Sequence, residues 1–319
     1  MAMLSRVVPA DAAAIAAAAA VIRRGGLVAF PTETVYGLGA DATNDNAVAA
    51  IFAVKERPRI NPLIIHVPDA DKAAALAAFN AGARALADNL WPGPLTLVLP
   101  RQKNARISLL ASAGLDTIAV RVPSHPVAQA LLRSCDLPIA APSANPSGQV
   151  SPTNAMHVAS DLGDRVEFVL DGGPVPIGIE STVVGFGRDR PILLRAGAIS
   201  RAQIEAIVGT LAAPIADSIT APGQLKRHYA PKTPLRLEAR DVGPEEALLA
   251  FGSPELPDAR VVRNLSPSGD LKEAAAHLFA MMRELDATGS AAIAVMPIPN
   301  EGLGEAINDR LRRAATHND

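Results

Sequence analysis

Apolar residues in this chain fall into two alternating patterns. Short runs bounded by proline, glycine or charge predict buried strands at Leu27–Phe30, Leu63–Val67, Leu95–Leu99, Thr117–Val122, Ile139–Ala141, Val166–Asp171, Ser181–Phe186 and Ile192–Arg195. Between them, apolar residues recur three and four apart. Ala12–Ile22 predicts a helix with Asp11 as N-cap and Gly25–Gly26 as its stop. Asp45–Lys55 puts Ala47, Val48, Ile51 and Phe52 on one face, Asp71–Leu90 predicts one long Ala-rich helix, and Val127–Arg133 and Arg201–Leu211 predict shorter ones. Several strands follow one another directly, so the expectation is a mixed α/β sheet and not a regular doubly wound one.

The periodicity lapses over residues 212–234, which hold Pro214, Pro222, Gly223, Pro231 and Pro234. Yet Gln224–Pro231, QLKRHYAP, is too rich in basic and aromatic groups for an inert spacer and could serve as a lid. A second series begins at Leu235. It has strands at Leu235–Glu238, Ala247–Phe251, Arg260–Asn264 and Ala291–Met296, with helices at Asp270–Leu285 and Gly304–Ala314. This predicts a small three-layer α/β domain of Rossmann-like character, without the G-x-G-x-x-G that would imply a dinucleotide. The expected organisation is a first domain over 1–211, a linker over 212–234 and a second domain over 235–319. A chain of 319 residues exceeds what one core usually serves.

Composition narrows the function. At 49% hydrophobic and 19% charged the chain is globular, and with 3% aromatics alanine supplies much of the apolar share. Residues 1–199 carry 17 basic against 16 acidic side chains, and the remainder 13 against 16. Neither part is a polyelectrolyte, so any anion chemistry must come from a local cluster. Cys135, the single cysteine, cannot pair internally and is expected as a small buried hydrophobe. Ala12–Ile22 is too short for a bilayer and lacks a basic leader, so a cytoplasmic protein with no membrane association is expected.

There is no G-x-x-x-x-G-K-[ST], H-E-x-x-H or G-x-S-x-G. What remains is a set of polar loops between buried strands. PTETVYGLGA (31–40) offers Thr32, Glu33, Thr34 and Tyr36, with Gly37 and Gly39 allowing a tight backbone. KERPRINPL (55–63) presents Lys55, Arg57 and Arg59, which either complement a helix C-terminus or converge on a polyphosphate. APSANPSGQVS (141–151) holds Ser143, Asn145, Ser147 and Ser151, suited to an anion or simply to a structured turn. GIESTVV (178–184) and LLRAG (193–197) add Glu180, Ser181 and Arg195.

Taken together with WPGPLT at 91–96 and VRVP at 120–123, these motifs make the sequence resemble the YrdC-like family of threonylcarbamoyl-AMP synthases over residues 12–200. The tail, PGQLKRHYAP followed by a small α/β domain, resembles the long two-domain form. The resemblance implies a YrdC-like mixed, twisted sheet with a concave active-site face, and a smaller C-terminal Rossmann-like domain. It implies that ATP, L-threonine and bicarbonate become threonylcarbamoyl-AMP and pyrophosphate, as the first step of threonylcarbamoyladenosine formation at position 37 of tRNAs reading A-starting codons.

The family pattern assigns Lys55, Arg57, Ser143 and Asn145 to a polar tetrad around the triphosphate and the reacting carboxyl. Asn61, Thr117, Ser151, Arg195 and Tyr229 would be further ATP contacts, with Tyr229 folding over the site. Thr34, His66, Arg121 and Ser181 would hold threonine, Arg121 by its carboxylate. Mg²⁺ would ride on the phosphates and not in a protein cage. A downstream tRNA threonylcarbamoyl transferase would take the product, with at most weak direct tRNA binding. Glu33 and Glu180 stay open between general base and structural carboxylate. The competing readings are an RNA-binding YrdC-like module without synthase activity, a carbamoyl-transfer domain of the hydrogenase-maturation kind, and catalysis by the C-terminal domain.

Overall fold

The computed structural model describes residues 7–187, 190–212, 221, 223, 228–253 and 258–316. Residues 213–220 of the expected linker and Gln224–Arg227 of the expected lid lie outside the described residues.

Ten strands form one sheet: β1 (Val7–Pro9), β2 (Val28–Pro31), β3 (Tyr36–Asp41), β4 (Ile64–His66), β5 (Leu95–Pro100), β6 (Thr117–Arg121), β7 (Ile139–Ala140), β8 (Phe168–Asp171), β9 (Thr182–Phe186) and β10 (Pro191–Arg195). Their order is β1-β8-β2-β3-β7-β4-β6-β5-β9-β10. Parallel pairs such as β4–β6 and β5–β9 alternate with antiparallel pairs such as β2–β3 and β5–β6. The mixed sheet expected from directly successive strands is therefore present.

Helices cover the two faces unequally. On one face α2 (Asp45–Lys55), α4 (Ala81–Leu90) and α6 (Ala155–Leu162) pack Ile51, Phe52, Leu86 and Val158 against Leu38, Ile65, Leu97 and Val120. Each such buried aliphatic or aromatic side chain stabilises the fold by roughly 1.5–3 kcal/mol. On the other face α1 (Ala12–Arg23) and α5 (Pro126–Cys135) cover Val28, Phe30, Ile139 and Leu170. Cys135 is buried there as expected, and burial pushes its thiol up to about 11. Further along that face Ile64, Val98, Ala119 and Val183 meet Ala221 of the connector instead of a helix.

Three expectations need correction. The long helix over Asp71–Leu90 is two helices, α3 (Ala70–Leu76) and α4. Between them Ala77 bridges Arg101 and the Ala78 amide donates to the Pro100 carbonyl at 3.0 Å or less, so sheet-edge pairing interrupts the helix. Asn80 then caps α4 by accepting from the Ala83 amide at 2.8 Å. The loop expected after Phe30 is the fully buried strand β3. Gly37 and Gly39 make room and not turns: a Cβ on Gly39 would lie 2.7 Å from Phe30 and 2.9 Å from Ile139.

The third correction concerns the small domain. Strands β11 (Leu235–Arg236), β12 (Ala247–Ala250), β13 (Val261–Asn264) and β14 (Ile293–Val295) form a parallel sheet in the order β11-β14-β12-β13. Helices α8 (Leu271–Asp286) and α9 (Gly304–Ala315) both pack on one face, against Leu249, Ile293 and Val295. The other face is covered by Ala239, Val242, Ala259 and Met296 from connecting segments, giving two layers of regular structure in place of three. Asp270 caps α8 as its position before the apolar stripe predicts. Val35, Val150, Ile179 and Tyr229 join this second core, so it extends into loops of the large sheet. Among the described residues no helix is long and apolar enough to cross a membrane.

Candidate active site

At the helix-free end of the large sheet, loops and strand ends from eight segments close around a cavity. About 560 Å³ of space, part of it open to solvent, is lined by Thr34, Arg57, His66, Arg121, Ser143 and Ser181, with Arg195, Glu180 and Tyr229 completing the wall. Three guanidinium groups against one carboxylate make it a cationic concavity in a nearly neutral chain.

The first wall comes from the end of α2. Glu56 closes that helix in the left-handed region at φ 53°, which turns the chain and sends Lys55 and Arg57 inward. Lys55 is buried, and its Nζ donates to the backbone carbonyl of Ser143 at 2.5 Å and to that of Asn145. The segments around 55 and 143–145 therefore do meet. Lys55 itself grips backbone and does not line the cavity, and burial, then neighbouring Arg57, pulls its pKa well down. Arg57 donates from Nε to Asn61 O at 3.1 Å and from Nη2 to Pro62 O at 2.9 Å while its guanidinium faces the cavity. Asn145 spends its amide nitrogen on Pro146 O and Gln149 O, both at 2.9 Å.

The second wall rises from the ends of β4 and β6, which are parallel and pair His66 with Arg121. Arg121 donates from Nη2 to Glu33 Oε1 at 2.6 Å and from Nη1 to Thr34 Oγ1 at 3.1 Å. Glu33 also accepts the Ser124 and His125 amides on Oε2, at 3.1 and 3.3 Å. Both its oxygens are engaged and its pKa is lowered against the opposing cost of burial, chiefly by Arg121. Glu33 is thus an anchor for Arg121, not a free base. Burial, then Arg121, holds His66 neutral by pulling its pKa down to about 3.

The third wall joins β9 and β10. Arg195 donates from Nε and Nη2 to the Ser181 carbonyl at 3.1 and 2.8 Å, and from Nη2 to Ser181 Oγ at 3.1 Å. Ser181 Oγ also lies 2.8 Å from Thr96 Oγ1. Ser151 donates its hydroxyl to Glu180 Oε1 at 2.6 Å, which turns its proton away from any anion in this arrangement. Tyr229 is buried at φ 63°, stacked on Phe279 at 5.5 Å between ring centres.

Not every expected residue is gathered here. Thr117 sits at the opposite end of β6 from Arg121, paired with Pro100, and does not line the cavity. Asn61 is fully buried just behind Arg57 and Ser151 just behind Glu180, and neither lines the cavity. Tyr36, part of the first motif, turns its hydroxyl to the Gly173 carbonyl at 2.8 Å.

Buried polar side-chain atoms normally find partners. Among the described residues eight such atoms have none, and three of them, His66 Nδ1, Arg121 Nε and His228 Nδ1, belong to residues that line the cavity. A polar ligand is the physical complement of such a set.

Two residues escaped sequence reasoning. Arg283 on α8 forms an ion pair with Asp161 at 2.5 Å and donates to the Val150 carbonyl. Arg310 on α9 is completely buried and donates from Nε to Glu180 Oε2 at 2.8 Å. A signal for the second existed. Ala306, Ile307, Leu311 and Ala314 mark the apolar face of α9, and Arg310 falls on that face at helical spacing.

Comparison with known proteins shows which family the chain resembles. The family model for Sua5, YciO and YrdC, described as "Telomere recombination", matches residues 20–197. A second, described as "Threonylcarbamoyl-AMP synthase, C-terminal domain", matches residues 199–316. The chain is 42% identical over 320 residues to threonylcarbamoyl-AMP synthase of Pyrococcus abyssi, covering 93% of both chains. It is 41% identical over 321 residues to the enzyme of that name from Bacillus subtilis, covering 94% of this chain and 92% of the relative. The crystal structure of P. abyssi Sua5 complexed with L-threonine superposes with a TM-score of 0.87 at 40% identity, covering 94% of each chain.

The chain belongs to the Sua5–YciO–YrdC family. Within it, the second matched domain and the near-complete coverage give it the long, two-domain form of the threonylcarbamoyl-AMP synthases.

Proposed function

We infer that this chain is an L-threonylcarbamoyladenylate synthase, a nucleotidyltransferase that converts ATP, L-threonine and bicarbonate to threonylcarbamoyl-AMP and pyrophosphate. The observation that carries the reading is the cationic cavity itself, where Arg57, Arg121 and Arg195 face the same space as His66, Ser143 and Ser181. Relatives named for this activity, one of them solved with L-threonine, support the same assignment.

The chemistry asks mainly for positioning and charge neutralisation. The threonine nitrogen attacks the carbon of bicarbonate, and as the N–C bond forms a C–O bond breaks and water leaves with the amine proton, which gives a carbamate. A carbamate oxygen then attacks the α-phosphorus, its new P–O bond replacing the bond to pyrophosphate. Arg121, braced by Glu33 and Thr34, suits the amino-acid carboxylate with its unpaired Nε. Neutral His66 offers Nδ1 as donor or acceptor without adding charge. Arg57 and Arg195 give planar contacts to phosphate oxygens, and Lys55 keeps the Ser143–Asn145 loop at the distance those contacts need. Tyr229 and its neighbours close the opening, and excluding water protects a mixed anhydride.

Among the described residues no cluster of three His, Cys, Asp or Glu side chains could cage a metal. Mg²⁺ supplied with ATP would fit this donor set by binding phosphate oxygens and neutralising their charge. The product, a reactive adenylate, suits a cytoplasmic tRNA threonylcarbamoyl transferase as its consumer.

The test is pyrophosphate release from ATP and Mg²⁺ with bicarbonate and each amino acid in turn. Release that depends on both threonine and bicarbonate supports the assignment. Release with every amino acid, or with none, removes it.

A further inference from the structure

The last helix of the chain places one charge where its apolar face should continue. Arg310 has no exposed surface and lies among Ala306, Ile307, Leu311 and Ala314. An ion in such a place is costly unless its donors are satisfied, and an apolar side chain of similar size is often at least as stabilising. What Arg310 touches gives the reason for an arginine here. Nε donates to Glu180 Oε2 at 2.8 Å, Nη1 to Asp309 Oδ2 at 2.7 Å and Nη2 to the Ala196 carbonyl at 3.0 Å. Its guanidinium carbon lies 4.9 Å from the centre of the Tyr229 ring.

Three of these partners sit on three separate segments at the cavity wall. Glu180 and Tyr229 line the cavity, and Ala196 follows Arg195, which lines it too. None of them belongs to the Thr34–His66–Arg121 wall. The Glu180 segment also packs hard against the small domain. Gly178 sits at φ +79°, and a Cβ there would lie 2.4 Å from the Ala275 carbonyl of α8. Only glycine allows that approach.

We propose that Arg310 is the positioning residue of the nucleotide wall: it fixes Glu180, Ala196 and Tyr229 relative to one another so that Arg195 and the Tyr229 ring meet ATP in one arrangement. The small domain thereby supplies a working part of the site. The proposal rests on the nucleotide-activating reading above. Lysine cannot replace the fork, because one ammonium on a flexible stem cannot serve Glu180 and Ala196 in separate directions while keeping its charge over the Tyr229 ring.

Full-length Arg310→Lys and Arg310→Gln are compared with wild type and with Arg263→Gln, which alters an exposed pair with Glu284 on the same domain. Threonine-dependent pyrophosphate release gives kcat and both KM values, and calorimetry gives the affinity for a non-hydrolysable ATP analogue. Arg310→Lys should raise the KM for ATP and weaken the analogue about tenfold or more, with the KM for threonine within about twofold of wild type. Arg263→Gln should match wild type. A purely architectural role would lower Tm and the active fraction while leaving the analogue affinity of the folded protein unchanged, and that result overturns the proposal. Equal rises in both KM values also overturn it. If Arg310→Gln fails to fold, Arg310→Lys alone decides. Wild-type protein that binds no analogue and releases no pyrophosphate would sink the functional reading and the proposal with it, an outcome distinct from Arg310→Lys behaving as wild type.

Discussion

The Nζ of Lys55 lies 2.5 Å from the backbone carbonyl oxygen of Ser143, and it reaches the Asn145 carbonyl as well. A residue expected to touch the triphosphate is thus the latch that sets the loop bearing two other members of the tetrad. Lys55→Met should leave the Asn145 carbonyl unpaired, while the Ser143 carbonyl keeps the Asn145 amide at 3.1 Å. One such loss costs roughly 1–3 kcal/mol, so the variant should lose about that much in urea unfolding and its pyrophosphate release should fall to background. A variant as stable as wild type but inactive would show that Lys55 acts on the substrate directly.

Glu33 tests the threonine wall from behind. Glu33→Gln keeps the size of the side chain but removes the charge opposite Arg121. Arg121 would then turn from a braced donor into a loosely held one. The expected result is a rise of about tenfold in the KM for threonine with the KM for ATP nearly unchanged. Steady-state kinetics with each substrate varied separately checks it, and a selective rise in the KM for ATP would refute the assignment of that wall.

His66 should leave a signature in the pH dependence of stability. Its folded pKa of about 3 lies below the ordinary value of 6.5 because the ring is buried beside Arg121. Between those values the unfolded chain binds a proton that the folded protein does not. Stability therefore falls as pH drops from 6.5 toward 3, by about 1 kcal/mol per pH unit from this group. His66→Gln should flatten the stability profile over that window by this amount. Parallel profiles for the two proteins would show that His66 is not held neutral.

Tyr229 unites the closing surface with the second core, packed between Phe279 and Arg310. Tyr229→Ala should cost about 3–5 kcal/mol of stability and raise the KM for ATP. Tyr229→Phe should retain both, since the ring and not the hydroxyl does the packing. A Tyr229→Phe variant as impaired as Tyr229→Ala would point to the hydroxyl instead.

Much of this architecture is legible in the sequence, and the exceptions have physical causes. Runs such as Leu95–Leu99 and Val120 with its neighbours gave their strands directly, because burial on both faces leaves no polar interruption. Asp11 caps α1 as expected, an effect confined to one turn and so visible in a short window. The break at Ala77–Asn80 was not visible, since alanines favour helix and the interruption comes from pairing with distant Arg101. The strand at Tyr36–Asp41 was hidden by glycines that exist to admit Phe30 and Ile139. Of the residues the motifs singled out, Arg57, His66, Arg121, Ser143, Ser181 and Arg195 line one cavity. The motifs could not show that Lys55 would hold backbone, that Ser151 would turn to Glu180, or that α9 would reach into the wall. Those facts depend on where one side chain points after three segments meet.

The central claim is that one cavity joins threonine, a one-carbon acid and the adenylate of ATP. Its most direct test is the fate of carbon-13 bicarbonate incubated with the protein, ATP, Mg²⁺ and L-threonine, followed by mass spectrometry of the adenylate formed. The account predicts an adenylate that carries both threonine and the labelled carbon, formed with one pyrophosphate, and lost in Arg57→Ala and Arg195→Ala. Threonyl adenylate without the label, or AMP and pyrophosphate released with no threonine requirement, would contradict it.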